Sequence, residues 1–175
     1  MFSDPSQMIS QLDLQSGSRV ADIGAGSGAF AFAAAKAVGE HGKVFAVEVQ
    51  KELLSRLERE ARSKGVHNIE VVWGDAEQPN GTHLATDSCD AVIVANILFQ
   101  TPERAGLARE AARIVKSRGR VLVVDWSGSF GGTGPAPDAV VSKQKAQEVF
   151  EGAGLVFERE VAAGSNHYAI IFRKV

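Results

Sequence analysis

This sequence has little cysteine and little excess of either charge, and each of these features argues against a class of protein. The single cysteine, Cys89, cannot form an internal disulfide. No Cys/His cluster has the spacing of metal ligands, so we expect no metal site. The 19 Lys and Arg residues against 21 Asp and Glu leave a net charge of −2, which argues against a protein that grips nucleic acid through its phosphates.

Long apolar runs are absent as well. The longest uncharged apolar stretch, around Gly28–Ala35, falls far short of the about 20 residues that a membrane helix needs. Residues 1–16 lack both the basic start and the apolar run of a secretory signal. We therefore expect a cytoplasmic protein with no membrane partner.

The chain does have enough apolar sequence for one core. At 175 residues, 45% hydrophobic and 23% charged, it has the composition of a globular protein and the length of one domain. We therefore expect residues 1–175 to form a single domain. Near its start, Phe2, Met8, Ile9 and Leu12 predict a short amphipathic helix.

Short apolar runs alternate with helical patterns along most of the chain. The predicted strands are Arg19–Ile23, Lys43–Val49, Asn68–Trp73, Cys89–Ala95, Gly119–Asp125, Leu155–Val161 and Tyr168–Lys174. The predicted helices are Gly28–Val38, Gln50–Lys64, a helix opened by Thr101-Pro102-Glu103 and running to about Lys116, and Ser142–Ala153. This alternation is typical of an α/β protein with helices on both faces of a mostly parallel sheet.

Three connections qualify this pattern. The last two strands are separated only by Ala162–His167, which is too short for a crossover helix, so they must pair antiparallel. Residues 76–87 show little helical periodicity, and we expect a short helical turn or a loop there. Residues 127–138 are too rich in Gly and Pro for a regular element, and either a lid over the substrate or a flexible connection fits them.

Polar residues follow the successive predicted strands where those strands end. Since ligands of open α/β sheets bind outside the carboxyl ends of the strands, these residues are expected at one site. A single acid in such a place fits a helix cap or a surface turn equally well, but acids closing successive strands are harder to explain that way. The residues that end the strands are Asp22, Glu48, Asp75, Asn96 and Asp125.

The glycine-rich turn Asp22-Ile-Gly-Ala-Gly-Ser-Gly28 is the strongest local signal. Its glycines let the backbone turn sharply and let a ligand approach the main chain, and the next helix offers free N–H groups to an anion. Dinucleotide-binding folds use a similar turn, with Ala29 in place of the third glycine. The glycines alone therefore leave both ligands open.

Taken together, four features resemble the class I S-adenosylmethionine-dependent methyltransferase family. They are the glycine turn, Glu48 at the end of the second strand, Gly74-Asp75-Ala76 after the third, and the reversed last strand. The resemblance covers residues 6–174 and is to small stand-alone bacterial members of the methyltransferase-11/25 kind. It implies a Rossmann-like three-layer αβα sandwich, with a seven-stranded, mostly parallel sheet and an antiparallel last strand.

The resemblance also implies S-adenosylmethionine as cofactor. The implied roles place Asp22 near the ammonium of the amino-acid part, which the glycine backbone receives, and Glu48 on the ribose hydroxyls. Asp75 accepts from the adenine amine, while Val49 and Ala76 flank the ring. The implied cofactor-binding residues are Asp22, Gly24, Ala25, Gly26, Gly28, Glu48, Val49, Asp75, Ala76 and Asn96.

The sequence does not identify a catalytic residue. Methyl transfer needs alignment above all, and a base only where the acceptor must lose a proton. Asn96, Trp126 and His167 are weak candidates, because their loops lie at the cofactor edge of the sheet. Methyltransferases of this kind that act on the amino groups of nucleobases carry prolines after the fourth strand. The matching stretch here, Asn96-Ile97-Leu98-Phe99, has none. We therefore expect a small-molecule acceptor, with its identity and the oligomeric state left open.

Two alternatives remain at this point. A nicotinamide-dependent oxidoreductase would use the same glycine turn, but it needs catalytic Tyr/Lys or His groups, and the only tyrosine, Tyr168, lies in the last predicted strand. A non-catalytic scaffold or regulatory subunit would retain the fold and even the cofactor without turnover. The acids at the strand ends argue against complete loss of cofactor binding.

Overall fold

The computed structural model describes residues 4–175, and a seven-stranded sheet lies at its centre. The strand order is β3-β2-β1-β4-β5-β7-β6, with β7 antiparallel to both of its neighbours and the other pairs parallel. The predicted reversed last strand is therefore confirmed. The strands are β1 Arg19–Ile23, β2 Lys43–Glu48, β3 Ile69–Trp73, β4 Cys89–Ala95, β5 Val115–Trp126, β6 Val156–Val161 and β7 His167–Arg173.

Helices cover both faces of this sheet. One face packs against α1, α2 and α3, and the other packs against α4 and α5. The expected three-layer αβα sandwich is confirmed. The helices are α1 Pro5–Ile9, α2 Ala29–Val38, α3 Lys51–Ser63, α4 Arg104–Ile114 and α5 Lys143–Gly152.

Small and apolar side chains explain why these helices pack so closely. In α2, Ala31, Ala34 and Ala35 are buried against the sheet, so its backbone approaches the strands with little side chain between them. In α3, Leu54 and Leu57 belong to the buried stripe that the sequence predicts. Each such aliphatic side chain contributes about 1.5–3 kcal/mol when it is fully buried.

The helix predicted to open at Thr101 begins later, at Arg104. Thr101 does not cap it, because its hydroxyl donates instead to the Ile97 carbonyl, at 2.7 Å. The Glu77 carboxylate accepts from the Glu103 N–H at the helix start, at 2.8 Å. The helix also ends early, at Ile114, because Val115 pairs with Cys89 and starts β5 ahead of the predicted Gly119.

The irregular segments follow the sequence predictions. Residues 76–87 form turns rather than a helix. Within 127–138, Phe130 and Thr133 exchange backbone hydrogen bonds around Gly131 and Gly132, whose φ angles of +52° and +86° suit a tight hairpin turn. At the start of the chain, Met8, Ile9 and Leu12 are buried, as an amphipathic helix requires.

Two further sequence predictions concern Phe2 and a membrane span. Phe2, which completes the predicted amphipathic pattern, lies outside the described residues. Within residues 4–175, no helix is both long enough and apolar enough to cross a membrane.

Candidate functional site

A cleft of about 430 Å³ opens at the carboxyl ends of β1 to β4. The topology puts it where the strand order reverses, between β1 and β4, which is where open α/β sheets bind ligands. It brings together all but one of the residues expected to bind a cofactor. These are Asp22, Gly24, Ala25, Gly26, Glu48, Val49, Asp75, Ala76 and Asn96.

The glycine turn forms the floor of this cleft. The N–H groups of Gly24 and Ala25 both donate to the Val47 carbonyl, at 2.8 and 3.1 Å, which ties the turn to β2. The φ angles of Gly24 and Gly26 are +70° and +54°, and L side chains rarely adopt such a backbone. A Cβ on Gly24 would also lie only 2.7 Å from Cγ2 of Ile97, so bare backbone is required there.

Gly28 is the exception, because it is not among the lining residues. Its φ is +87°, and a Cβ there would lie 2.9 Å from Cδ1 of Leu57 in α3 and 3.2 Å from the Phe32 ring. Its position shows a packing requirement between α2 and α3. Cofactor contact by Gly28 therefore stays a prediction.

Glu48 ends β2 with its carboxylate turned into the cleft, and its residue is only 7% exposed. Oε1 accepts from the N–H groups of Val49 and Gln50, at 2.9 and 3.1 Å. Oε2 accepts from the N–H of Gly26, at 3.1 Å. The carboxylate is thus held in place from both sides, and each oxygen keeps acceptor capacity for a hydroxyl.

Asp22 faces Glu48 from the end of β1 and is almost completely buried. The pKa of Asp22 is raised to about 7, mainly by burial and further by the nearby charge of Glu48. A hydrogen bond from the Ala31 N–H opposes this rise. Oδ2 of Asp22 has no hydrogen-bond partner within the described chain. A buried carboxylate oxygen without a partner favours a cationic or hydrogen-bonding ligand beside it.

Asp75 and Ala76 supply the wall beyond β3. Oδ1 of Asp75 accepts from the Glu77 N–H, at 3.0 Å, which leaves Oδ2 for a ligand. Ala76 is buried, whereas Val49 on the opposite side is 52% exposed and offers an apolar surface. The Val49 carbonyl accepts from the Trp73 indole N–H, at 3.0 Å, so that wall is also fixed.

Asn96 closes the cleft at the end of β4. Its φ of +58° is left-handed, its N–H donates to the Val124 carbonyl, and its Oδ1 is buried and unpartnered as far as the described residues go. Asp125 lies behind this turn rather than in the cleft. The Leu98 N–H donates to Oδ2 of Asp125, at 2.8 Å, and burial raises the pKa of Asp125 to about 6 against the hydrogen bonds it accepts.

Trp126 and His167 lie outside the cleft lining. They are opposite each other on β5 and β7, with ring centroids 4.3 Å apart. Side chains two residues along each strand, Val124 and Ala169, pack on the α1–α3 face, so this pair projects from the same face. His167 is 8% exposed, burial lowers its pKa, and Nδ1 has no partner among residues 4–175.

Sequence reasoning misses some of the lining residues, which include Phe30, Thr101 and Leu107. Phe30 sits in an alanine-rich helix whose pattern indicates only packing, and the residues after Thr101 favour a helix cap there. Leu107 belongs to α4, whose approach to the cleft depends on tertiary packing.

These features fit S-adenosylmethionine. A buried Asp22 oxygen without a partner suits its ammonium, the Glu48 carboxylate suits a ribose diol, and the positive-φ glycine backbone suits close approach of a ligand. The fold and the cleft together define a class I methyltransferase domain. The chain belongs to the methyltransferase domain family, whose sequence model matches residues 14–166. The predicted resemblance to class I S-adenosylmethionine-dependent methyltransferases is confirmed, with S-adenosylmethionine as the cofactor of that class.

Individual relatives agree with this assignment. A demethylmenaquinone methyltransferase from Geobacillus stearothermophilus is 26% identical over 117 residues, which cover 67% of this chain and 49% of that protein. The aklanonic acid methyltransferase DauC from Streptomyces sp. (strain C5) is 32% identical over 105 residues, covering 60% of this chain and 46% of that protein. The chain thus spans about half the length of these curated relatives.

Solved structures extend the similarity to nearly the whole chain. A SAM-dependent methyltransferase from Aquifex aeolicus has a TM-score of 0.89 and 26% identity, covering 99% of this chain and 91% of that one. The [4+2]-cyclase SpnF has a TM-score of 0.82 at 16% identity, covering 97% of this chain and 79% of that one. The second likeness concerns the fold alone.

Proposed function

We propose that this protein transfers the methyl group of S-adenosylmethionine to a small-molecule acceptor. The observation that carries the proposal is the pairing, in one cleft, of two buried acids with a glycine turn. Glu48 is held by three backbone N–H groups, and Asp22 keeps an unpartnered oxygen among the described groups. Glu48 would bind the ribose hydroxyls, with about 1.5–3 kcal/mol for each charge-assisted bond.

The other predicted residues take complementary places in this proposal. Asp22 would accept from the ammonium, and Asp75 and Ala76 would bind the adenine edge, with Val49 against its face. When bound, S-adenosylmethionine supplies an activated methyl group on a sulfonium. The protein's own contribution is to align the acceptor with that group and to exclude water.

The acceptor would lie at the β4–β7 side of the cleft. Asn96 lines the cleft there, and Trp126 and His167 project from the Asp22 face two to three strands away from β1. The relatives named for demethylmenaquinone and aklanonic acid support a small organic acceptor.

The net charge of −2 supports a small-molecule partner over nucleic acid. No side chain is assigned as a base, because Asn96, Trp126 and His167 each fit a positioning role. A cytoplasmic location stays a prediction.

The test is the melting temperature of wild type and of Glu48→Ala with S-adenosylhomocysteine, S-adenosylmethionine or NAD. A ligand at about 100 times its Kd adds about 2.7 kcal/mol, or roughly 5–10 °C for a domain of this size. We expect this shift with both sulfur nucleosides and its loss in Glu48→Ala. Glu70→Ala is the matched control, because Glu70 is an acid of the neighbouring β3 that pairs with Lys43 outside the cleft.

The other outcomes separate the alternatives. A shift with NAD alone would contradict the proposal and favour an oxidoreductase. A shift with the sulfur nucleosides, followed by no methyl transfer from labelled S-adenosylmethionine to any member of a metabolite extract, would favour a non-catalytic scaffold.

A further inference from the structure

A hydrogen-bonded cluster on α4 holds the segment that follows β3. The centre of the cluster is the Glu110 carboxylate, which accepts from the N–H groups of Asn80 and Thr82, each at 3.2 Å. It also accepts from the Thr82 hydroxyl, at 2.6 Å. Arg113 completes the cluster, donating to Glu110 through Nε at 2.9 Å and through a terminal nitrogen at 2.6 Å.

Burying a carboxylate at the position of Glu110 costs free energy. It occupies the inner stripe of α4 with Leu107, Ala111 and Ile114, and it is only 3% exposed. Burial raises the pKa of the Glu110 carboxyl, but hydrogen bonds from Arg113 and Thr82 outweigh burial and bring the pKa below its ordinary value. A buried ion pair of this kind contributes little net stability compared with apolar packing, so its value lies in the geometry that it fixes.

The backbone of the segment held by Glu110 is tightly packed against itself. A Cβ on Gly81 would overlap the carbonyl oxygen of Asp75, and a Cβ on Gly74 would overlap that of Gly81. The chain therefore folds back on itself directly behind Asp75. Glycine is required at both positions because any side chain would push the two arms of the loop apart.

A second contact ties the same loop to the start of α4. The Glu77 carboxylate accepts from the Glu103 N–H, at 2.8 Å, and a Cβ on Gly106 would overlap the Glu77 carbonyl oxygen. The loop is therefore held on α4 at two points, and the residues at its near end, Asp75 and Ala76, line the cleft.

We propose that Glu110 is a positioning residue for nucleobase recognition. Through Thr82 and Asn80 it holds the 75–82 loop so that Asp75 and Ala76 meet the amine edge of an adenine. The inference rests on the proposed function, which places the adenine of the cofactor at those two residues. Glu110 itself lies outside the cleft lining.

The test compares two ligands that differ only at the base. S-adenosylhomocysteine presents the adenine amine, and S-inosylhomocysteine presents a carbonyl and a ring N–H in its place. Their Kd values are measured calorimetrically with wild type, Glu110→Gln and Thr82→Val. Glu158→Gln is the matched control, because the Arg120–Glu158 ion pair joins β5 to β6 on the other side of the sheet.

We expect wild type to prefer the adenine ligand and Glu110→Gln to lose about tenfold of that preference. The tenfold change corresponds to one hydrogen bond of about 1.4 kcal/mol. Thr82→Val keeps the side-chain shape and removes one bond to Glu110, so it should lose part of the same preference even if Glu110→Gln fails to fold. Glu158→Gln should lower the melting temperature and leave the preference unchanged.

A merely structural Glu110 would give a different result. Both ligands would then weaken equally in Glu110→Gln and Thr82→Val, or not at all, and the ratio of Kd values would stay at the wild-type value, which would overturn the inference. Failure of wild type to bind S-adenosylhomocysteine would instead overturn the proposed function, and the inference with it.

Discussion

At the scale of single residues, Asp22 lowers the stability of the ligand-free protein at a position that suits ligand binding. Its carboxylate is buried beside Glu48, and burial raises its pKa to about 7. Holding the ionised form in the ligand-free protein above that pH therefore costs free energy.

Asp22→Asn is expected to stabilise the ligand-free protein at pH 8 and to abolish tight binding of S-adenosylhomocysteine. The amide removes a buried charge, which is worth about 2 kcal/mol, or roughly 5 °C in melting temperature. Differential scanning calorimetry gives the first quantity and calorimetric titration the second. A variant that melts below wild type at pH 8 would contradict the assigned cost of burial.

Gly28 is expected to matter for folding more than for ligand affinity. Gly28→Ala places a Cβ against Leu57 and should cost about 2–4 kcal/mol by chemical denaturation, as left-handed strain plus overpacking. Gly154→Ala is the matched control, because its φ of +89° is nearly the same and a Cβ there meets open space. The control should lose only about 1 kcal/mol. The double variant Gly28→Ala/Leu57→Ala should lose less than the sum of the two single losses, because the added Cβ meets Leu57.

The residues of the cleft and the residues that support it differ in how clearly the sequence indicates them. Asp22, Glu48 and Asp75 end strands, so the period and length of the apolar runs predict where they meet. Glu110 has a weaker signal, an acid on the inner stripe of a helix three residues before Arg113. Its partners Asn80 and Thr82 lie in an irregular segment, and only tertiary structure brings them together.

At the scale of elements, the 127–138 segment packs on the side chain of Trp126. A Cβ on Gly134, whose φ is +84°, would lie 2.6 Å from Cε3 of Trp126, and the Phe130 ring lies 6.4 Å from the Trp126 ring. The backbone of this segment therefore packs against the indole of Trp126. This contact limits movement of the segment while Trp126 stays in place.

Gly134→Ala is expected to release this segment without changing cofactor affinity. Hydrogen exchange of residues 127–138 should accelerate about tenfold, equivalent to about 1.4 kcal/mol of lost protection, while the Kd of S-adenosylhomocysteine stays the same. Gly131→Ala serves as control, since its φ is also positive but no described atom lies within 4 Å of its Cβ. Equal exchange in both variants would exclude anchoring by Trp126.

Element boundaries were less predictable than element types. The sequence predicts the strands around the cleft because each is a short apolar run between turns, but it predicts the junction of α4 and β5 too far along the chain. Val115 is completely buried and pairs with Cys89. The local sequence favours helix there, and the pairing partner that overrides it lies far back in the chain.

At the scale of the whole molecule, stability should depend on pH in an unusual direction. Acids whose pKa is raised by folding favour the native state when protonated, so their contribution is lost as pH rises from the ordinary value towards the native one. That window runs from about 3.8 to about 7 for Asp22 and to about 6 for Asp125. His167 opposes them, because its lowered pKa removes stability as pH falls through 6.5.

The ligand-free protein is therefore expected to melt higher at pH 5.5 than at pH 7.5. The difference should be about 1–2 kcal/mol, or roughly 2–8 °C, since each pKa unit is worth about 1.4 kcal/mol and His167 offsets part of the gain. Calorimetry of wild type and Asp22→Asn across this range checks the sign. The variant should lose most of the difference, and a wild type that melts lower at pH 5.5 would contradict the prediction.

The place of β7 also sets the order in which this chain can fold during synthesis. β7 lies between β5 and β6, its residues from His167 to Phe172 are buried, and β6 pairs only with β7 in the described sheet. A ribosome-bound chain that lacks His167–Arg173 therefore has an open edge on β5 and an unpaired β6. Because β7 is made after both of its neighbours, this side of the sheet should form only once His167–Arg173 has left the ribosome. Until then, chaperones would meet a chain with an exposed strand edge.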